Sequence, residues 1–294
     1  MKCQQMKNKR ISLITWILLS LLPLYSQSAP ERPPLWGIAK ITFLASDFSM
    51  VRDYYGKFLG FQEAFQYNTQ IGPAISFKVN DRQFLEFIED PHAKSKNRLV
   101  SVSLETENAE QMRLYLKTAG VKVPDRTSTD GAGNIVFLVS DRSGNPIEFI
   151  EIKETGLHKK SAGSFLSDQR ISTRIHHVGL YTESMMDKDP FYTGVLQFET
   201  VLRFPEDKNT NPVIMYFGIP ESTESIEHYS PSDSNFSHPC FVVQDMQETI
   251  YVLRERQTSQ IVGKPMIGKG RRWILNMNNP DGTRVEFTES YTVK

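Results

Sequence analysis

The chain of 294 residues contains one apolar pattern twice. Residues 39–63 read AKITFLASDFSMVRDYYGKFLGFQE, and residues 176–199 read HHVGLYTESMMDKDPFYTGVLQFE. Three pairs of apolar residues keep a constant offset of 137 positions: Tyr55 with Tyr192, Leu59 with Leu196, and Phe61 with Phe198. A chain of this length can form two domains of ordinary size, each with its own core.

The two copies differ in their polar residues. At the same offset, Lys40 in the first copy aligns with His177 in the second. The apolar frame is retained while a lysine stands where the other copy has a histidine. This pattern predicts one fold used twice, with a site in only one of the two halves.

The composition excludes several classes of protein. Lysine plus arginine and aspartate plus glutamate number 34 each, so no basic excess favours nucleic-acid binding. The hydrophobic content of 39% and the charged content of 23% are typical of a soluble globular protein.

The N-terminus has the pattern of a targeting segment. Basic residues precede an apolar run, Ile11 to Leu24, which is short for a transmembrane helix, and small residues follow up to Ala29. Residues 1–29 are therefore predicted to be a secretory signal peptide, with an uncleaved anchor as the alternative. We expect export to a periplasmic or extracellular location, with no membrane association after cleavage. Cys240 then remains the only cysteine, cannot form an internal disulfide, and is interpreted as a buried hydrophobic residue.

Each copy divides again into two smaller units. The first copy spans residues 37–152 and the second spans residues 172–291, and the polar segment 153–171 between them is predicted to be a linker. Each unit reads as a strand, a helix and two or three further strands. The predicted strands are Ile38–Ala45, Ala74–Val79, Phe84–Ile88, Val100–Leu104, Ile135–Val139, Pro146–Ile152, Val178–Tyr181, Val213–Phe217, Ser225–Tyr229, Cys240–Val243, Arg272–Asn276 and Arg284–Thr288. The predicted helices are Met50–Phe58, Ala109–Lys117, Lys188–Val195 and Met246–Glu255.

Four short motifs resemble one protein superfamily. The openings IHHVGL from Ile175 and HPCF from His238, and the endings SGNPIEF from Ser143 and NPDGTRVEF from Asn279, are similar to those of the vicinal oxygen chelate superfamily. This superfamily includes glyoxalase I, bleomycin-resistance proteins and extradiol dioxygenases. The resemblance covers residues 37–290 and implies an α+β fold, with four βαβββ modules that form two tandem half-barrel domains.

The resemblance also implies a metal site in the second domain. The positions that match the superfamily's metal ligands are His177, Glu227, His238 and Glu286. Such a set suits a divalent transition metal, and Fe, Zn, Mn, Ni and Co all stay open. Glu227 is interpreted as a fourth ligand or as a general base, and His228 is the second candidate for acid–base catalysis. Because strand side chains alternate, His176 is expected to point to the opposite face and to lie at the surface.

The matching positions of the first copy lack both histidines. They are Lys40, Glu86, approximately Leu99, and Glu148, so we expect an N-terminal domain without an intact metal site. Lys40 is predicted to pair with Glu148 or Glu86 across the barrel.

Two classes of function follow, together with a third possibility of a structural role with vestigial sites. The first is a metal-dependent enzyme, a lyase, an isomerase or a dioxygenase, that acts on a small oxygen-rich substrate chelated to the metal. The alternative is a non-catalytic binding protein of the bleomycin-resistance type. Ring cleavage is disfavoured, because Asn276 occupies the place of a tyrosine in the extradiol closing motif and Ile267–Lys269 contain no histidine. The protein is expected to be a monomer or a homodimer.

Overall fold

The computed structural model describes residues 31–92, 97–230, 236–256 and 260–293. The predicted signal peptide lies outside the described residues. Within these ranges, no helix combines the length and the apolar character that crossing a membrane requires.

The first domain is an eight-stranded sheet with short helices. Its strands are β1 (Leu35–Ala45), β2 (Gln62–Asn68), β3 (Pro73–Lys78), β4 (Phe84–Glu89), β5 (Leu99–Thr106), β6 (Ser128–Thr129), β7 (Ile135–Ser140) and β8 (Pro146–Glu151). They lie side by side in the order β2-β3-β4-β1-β5-β8-β7-β6. After β1 the chain forms a short α-helix (Phe48–Val51) that continues as a π-helix (Arg52–Phe58), and Ala109–Thr118 form the second helix. The helix Leu157–Lys160 follows β8.

The second domain repeats this arrangement. Its strands are β9 (Ile175–Tyr181), β10 (Glu199–Phe204), β11 (Ile214–Gly218), β12 (Ser225–Tyr229), β13 (His238–Val243), β14 (Met266–Ile267), β15 (Trp273–Asn278) and β16 (Arg284–Glu289). They lie in the order β10-β11-β12-β9-β13-β16-β15-β14. The helices are the π-helix Pro190–Val195 and the α-helix Met246–Glu255. The strand order is the same as in the first domain, and the predicted α+β fold of two tandem half-barrels is confirmed.

The sequence pattern did not place the outer strands β2, β6, β10 and β14. Residues of β2 and β10 are largely half-buried or exposed, so they lack the apolar alternation that marks a strand. The prediction of two or three strands after each helix was therefore correct in number but left these edges unassigned.

An irregularity in the opening strand of each domain determines which side chains reach the interior. Between β9 and β13, His177 pairs with Cys240 while Ile175 pairs with Phe241, so β9 carries one extra residue. The first domain has the same irregularity, where Lys40 and Ile38 flank Ala39. A bulge of this kind interrupts the alternation of side chains between the two faces.

The aromatic residues that revealed the repeat also join the two domains. The Tyr192 hydroxyl donates to Oδ2 of Asp141 in the first domain at 3.1 Å. In the reciprocal contact, Asn279 Nδ2 in the second domain donates to the Tyr55 hydroxyl at 3.3 Å. Each domain therefore receives one tyrosine of the other at the turn before its last strand.

Candidate metal centre

Four neighbouring strands bring the predicted ligands of the second domain together. His177 lies on β9, Glu227 on β12, His238 on β13 and Glu286 on β16. Atoms of His177, His238 and Glu286 that could bind a metal ion all lie within 4.8 Å of one another. Glu227 Oε2 lies 3.2 Å from His177 Nε2 and 3.3 Å from His238 Nε2, and His177 Nε2 lies 3.6 Å from Glu286 Oε1. All four side chains are buried.

Three polar atoms at this centre lack hydrogen-bond partners. They are His177 Nε2, Glu227 Oε2 and His238 Nε2, none of which has a hydrogen-bond partner among the described residues although they lie close to one another. Buried polar atoms are nearly always satisfied in folded proteins. Bonds of about 2.1 Å to one ion would place neighbouring ligand atoms about 3.0–3.4 Å apart, which the observed separations approach. The residues therefore fit a divalent metal ion.

A second layer of contacts orients three of the ligands. The Tyr216 hydroxyl donates to Glu227 Oε1 at 3.1 Å, and Arg284 donates to Glu286 Oε2. His238 Nδ1 lies 3.1 Å from the carbonyl oxygen of Phe236, which leaves Nε2 as the lone-pair nitrogen. Outer contacts of this kind are typical of metal-binding histidines and carboxylates.

The electrostatic environment favours the protonation states that bind metals. Burial raises the pKa of Glu227, but the neighbouring His177 and His238 imidazoles outweigh it and hold this pKa well below its usual value. Burial and the positive charge of Arg284 lower the pKa of His238. An ionised carboxylate and a neutral imidazole are the forms that coordinate a metal.

Gly179 is a residue that the sequence analysis missed. It pairs with His238 across the sheet, and a Cβ atom at this position would lie 2.0 Å from His238 Cε1. In the first domain Thr42 and Ser101 form the equivalent pair. The sequence did contain a sign of this contact, because the repeat has a glycine at position 179 where the first copy has Thr42.

His176 does not lie at the surface, so that expectation is wrong. Its ring is half-buried, with Nδ1 lying 2.8 Å from Nδ1 of His177. Arg272 Nη1 donates to His176 Nε2 at 2.8 Å. The bulge in β9 is the reason, because it places two consecutive side chains along one cavity. Burial, assisted by His177 and Arg272, lowers the pKa of His176 to about 2.

His228 lies away from the metal centre. It follows Glu227 on β12 and packs edge-on against Tyr192 and Phe217 at the contact between the domains. Its Nε2 lies 3.6 Å from Asp141 Oδ2. The proposed acid–base role at the metal does not fit this placement, because regular alternation along β12 directs neighbouring side chains to opposite faces.

The equivalent centre of the first domain contains an ammonium group. Lys40 Nζ lies 3.0 Å from Glu86 Oε2, 3.4 Å from Glu148 Oε1 and 3.9 Å from Asp130 Oδ2. The structure thus gives Lys40 both of its expected partners. The strand register corrects the fourth position, since Ser101 rather than Leu99 is the counterpart of His238.

The segment predicted to be a linker supplies a further residue to this first centre. His158, on the helix Leu157–Lys160, is buried, and its Nε2 lies 2.9 Å from Glu86 Oε1. Burial raises the pKa of Glu86, but Lys40 and His158 outweigh it and hold the pKa well below its usual value. For Lys40, burial lowers the pKa, and Glu148 and Glu86 outweigh this effect and raise it.

A cavity of about 770 Å³ opens at the centre of the second domain. Its lining includes three of the four candidate ligands, His177, Glu227 and Glu286. Aliphatic side chains form much of the remaining wall: Val201, Leu202, Ile214, Met266, Ile267 and Ile274. A cavity of this size, with aliphatic walls and many polar and charged side chains, has the dimensions of a small-molecule site.

The chain belongs to the Glyoxalase/Bleomycin resistance protein/Dioxygenase superfamily, which matches residues 37–149 and 174–287. Comparison with curated protein sequences finds no match.

Solved structures of enzymes from this superfamily share the two-domain fold. Homoprotocatechuate 2,3-dioxygenase from Arthrobacter globiformis superimposes with a TM-score of 0.67 at 16% identity, over 90% of this chain and 82% of that chain. The complex of the Brevibacterium fuscum enzyme with 3,4-dihydroxyphenylacetate gives 0.66 at 16%, over 89% and 82%. An Mn(II)-bound glyoxalase from Novosphingobium aromaticivorans gives 0.67 at 15%, over 87% and 83%.

Proposed function

We propose that the second domain is a divalent-metal-dependent lyase or isomerase, which moves a proton on a small substrate bound through two neighbouring oxygens. The observation that carries this proposal is the second carboxylate. Glu227 Oε2 contacts both imidazoles, so the set comprises two histidines and two carboxylates. Non-heme Fe(II) oxygenases typically use two histidines and only one carboxylate.

The residues around the centre suit proton transfer. When bound, a divalent ion supplies a Lewis acid that stabilises negative charge on substrate oxygens. Glu227 is ionised at neutral pH and would hold the ion through Oε2. When the substrate takes that position, Oε2 could accept a proton while Tyr216 holds the other oxygen in place. Burial of this carboxylate keeps bulk water away from the transferred proton.

Metal analysis of natively purified protein tests the first part of the proposal. We expect one equivalent of a divalent transition metal per chain, and its loss in His177→Ala and His238→Ala. His158→Ala is the matched control, because this buried histidine belongs to the first domain and should leave the metal content unchanged. Wild-type protein without metal, and unable to take it up after chelation, would contradict the proposal.

The type of reaction is tested by following two readouts together. α-Hydroxycarbonyl compounds and catechols are incubated with metal-loaded protein in D₂O, and deuterium incorporation and oxygen consumption are measured. We expect deuterium at the carbon beside the chelating oxygens without oxygen consumption, and loss of this exchange in Glu227→Gln. Oxygen uptake with catechols would instead indicate a dioxygenase, and binding without either signal would indicate a binding protein.

We also propose that residues 1–29 direct export of the protein and are removed afterwards. The support is the basic, apolar and small-residue order of the N-terminal sequence. N-terminal sequencing of protein from the exported fraction is expected to begin near Pro30. An intact N-terminus in a membrane fraction would favour the uncleaved anchor.

A further inference from the structure

We infer that the second domain selects substrates that carry an anionic group, and that Arg272 and Lys269 bind this group. The inference rests on the proposed function and specifies its substrate. Three carboxylates (Glu224, Glu227 and Glu286) and three cations (Lys269, Arg272 and Arg284) line the cavity. A divalent ion would therefore leave the lining with a net positive charge.

Among the residues that the structure describes, one of these three cations has an acidic partner. Arg284 forms an ion pair with Glu286. Among the described residues, Arg272 forms no ion pair, and its side-chain hydrogen bond is to the His176 imidazole. Lys269 likewise has no acidic partner there, and its ammonium lies 4.9 Å from the centroid of the Phe204 ring. Both groups keep their charge available to a ligand, and a guanidinium can bind a carboxylate or phosphate through two parallel hydrogen bonds.

The first domain has no cations at the corresponding positions. The β14–β15 and β6–β7 pairs have the same register, which aligns Arg272 with Asn134 and Lys269 with Gly131. These positive charges therefore accompany the histidines and are not a general feature of the fold. A cation needed only for solubility would not have to face the cavity.

The rest of the lining indicates the body of the substrate. Val201, Met266 and Ile267 are aliphatic, and each is about half exposed or more although it lines the cavity. Exposed apolar side chains beside a polar centre favour a ligand with an apolar part. The substrate class is thus an aromatic or branched aliphatic acid with two neighbouring oxygens and a carboxylate or phosphate group.

A pair of chelators that differ in one charged group tests this inference. Benzohydroxamate presents two neighbouring oxygens on an apolar ring, and 4-carboxybenzohydroxamate and 4-phosphonobenzohydroxamate add an anion. Their dissociation constants are measured by isothermal titration calorimetry with full-length protein loaded with Zn(II). We expect at least one anionic chelator to bind about tenfold more tightly than the neutral one, as one charge-assisted contact provides. The preferred anion distinguishes carboxylate from phosphate substrates.

Variants separate anion binding from support of the metal centre. Lys269→Gln should reduce the preference for the anionic chelator, while benzohydroxamate affinity stays within about twofold, because it lacks the anion. Arg272→Gln also removes the hydrogen bond to His176, and it should lower the affinity for the anionic chelator more than that for benzohydroxamate. Arg271→Gln is the matched control, since this neighbouring cation does not line the cavity and should leave the preference unchanged. Loss of affinity for both chelators in equal measure would make Arg272 a structural support and overturn the inference.

Failure of the inference is distinct from failure of the proposed function. If wild-type protein binds benzohydroxamate in a Zn(II)-dependent manner but does not prefer either anionic chelator, the anion subsite is wrong and the metal site stands. If neither Zn(II) nor benzohydroxamate binds, the proposed function is wrong, and this inference is overturned with it.

Discussion

The two domains surround equivalent pairs of carboxylates, of which all but the half-buried Glu148 are buried, with different positive groups. In the first domain Glu86 and Glu148 share the ammonium of Lys40. In the second domain Glu227 and Glu286 lie beside His177, which carries no permanent charge. Buried carboxylates need compensation by a nearby positive charge. In the first domain that charge belongs to a side chain, the ammonium of Lys40. In the second domain nitrogen and oxygen atoms without a fixed cation face one another, and an exchangeable metal ion can bind to them.

The surrounding residues strengthen this contrast. In the first domain the Tyr67 hydroxyl and His158 both bond to Glu86, so that carboxylate has few free lone pairs. In the second domain Glu227 Oε2 has no hydrogen-bond partner within the part of the chain that the structure describes. A saturated centre stabilises a fold, and an unsaturated one can bind a ligand.

Removing the ammonium of the first centre should have the largest effect on stability. Lys40→Met leaves the buried Glu86 and the half-buried Glu148 without their cation, and we expect the free energy of unfolding to fall by about 3–5 kcal/mol. Urea unfolding followed by circular dichroism measures this change. Lys57→Met, at an exposed ion pair, is the control and should change stability by less than about 0.5 kcal/mol. A small effect of Lys40→Met would show that the carboxylates are readily protonated or solvated.

Copying the first centre into the second should abolish metal binding. In His177→Lys, an ammonium replaces one ligand, and we expect metal affinity to fall by more than about 100-fold, since loss of an outer contact alone costs about 10–100-fold. Competition with a fluorescent chelator measures the affinity. Retention of a tightly bound metal in this variant would contradict the assignment of His177 as a ligand.

The outer histidine of the second centre should have an intermediate effect. His176→Ala reproduces Ala39 of the first domain and removes the contact to His177 Nδ1, so metal affinity should fall by about 10–100-fold. The same chelator competition measures it, and His92→Ala, at an exposed position, is the control. An unchanged affinity would mean that His176 only lines the cavity.

The first centre should also make stability depend on pH. The folded pKa of Glu86 lies below its unfolded value, so its contribution is present above pH of about 4.3 and is lost as the pH falls toward the folded value. The stability difference between wild type and Lys40→Met should therefore shrink in acid, by up to about 1.4 kcal/mol per pH unit for one proton. Urea unfolding of both proteins between about pH 3 and 7 provides the test. A constant difference would exclude this linkage.

The smallest expected effect concerns the contact between the domains. His228 of the second domain lies beside Asp141 of the first. In the reciprocal contact, the strand register aligns Phe87 with His228, and the equivalent turn has Asn279 where the first domain has Asp141. In a double-mutant cycle of Asp141→Asn and His228→Phe, we expect a coupling energy of about 1 kcal/mol, because the two buried groups interact directly. Additive effects on urea unfolding would show that the pair does not contribute to docking of the domains.

Much of the fold could be predicted from the sequence, because it depends on repeated local patterns. The constant offset between copies, the alternating strands and the glycine-terminated helices identified two domains of the same topology. The candidate ligands follow from the resemblance of the strand openings and endings to those of the superfamily, and the difference between Lys40 and His177 indicates which copy carries the site. The alternation of side chains along a regular strand also predicted that Glu227 and His228 point to opposite faces, so that only one of them can face the metal centre.

Other features depend on pairing between distant strands. The bulge at His176 breaks the local alternation rule, and only the register of β9 against β13 reveals it. The counterpart of His238 proved to be Ser101, since a register cannot be read from one strand alone. His158 lies 72 positions from Glu86, and no local pattern indicates that a polar segment folds back into the first barrel. Sequence thus determined the repeated frame and the residue types at its centres, whereas tertiary packing decided which side chains meet there.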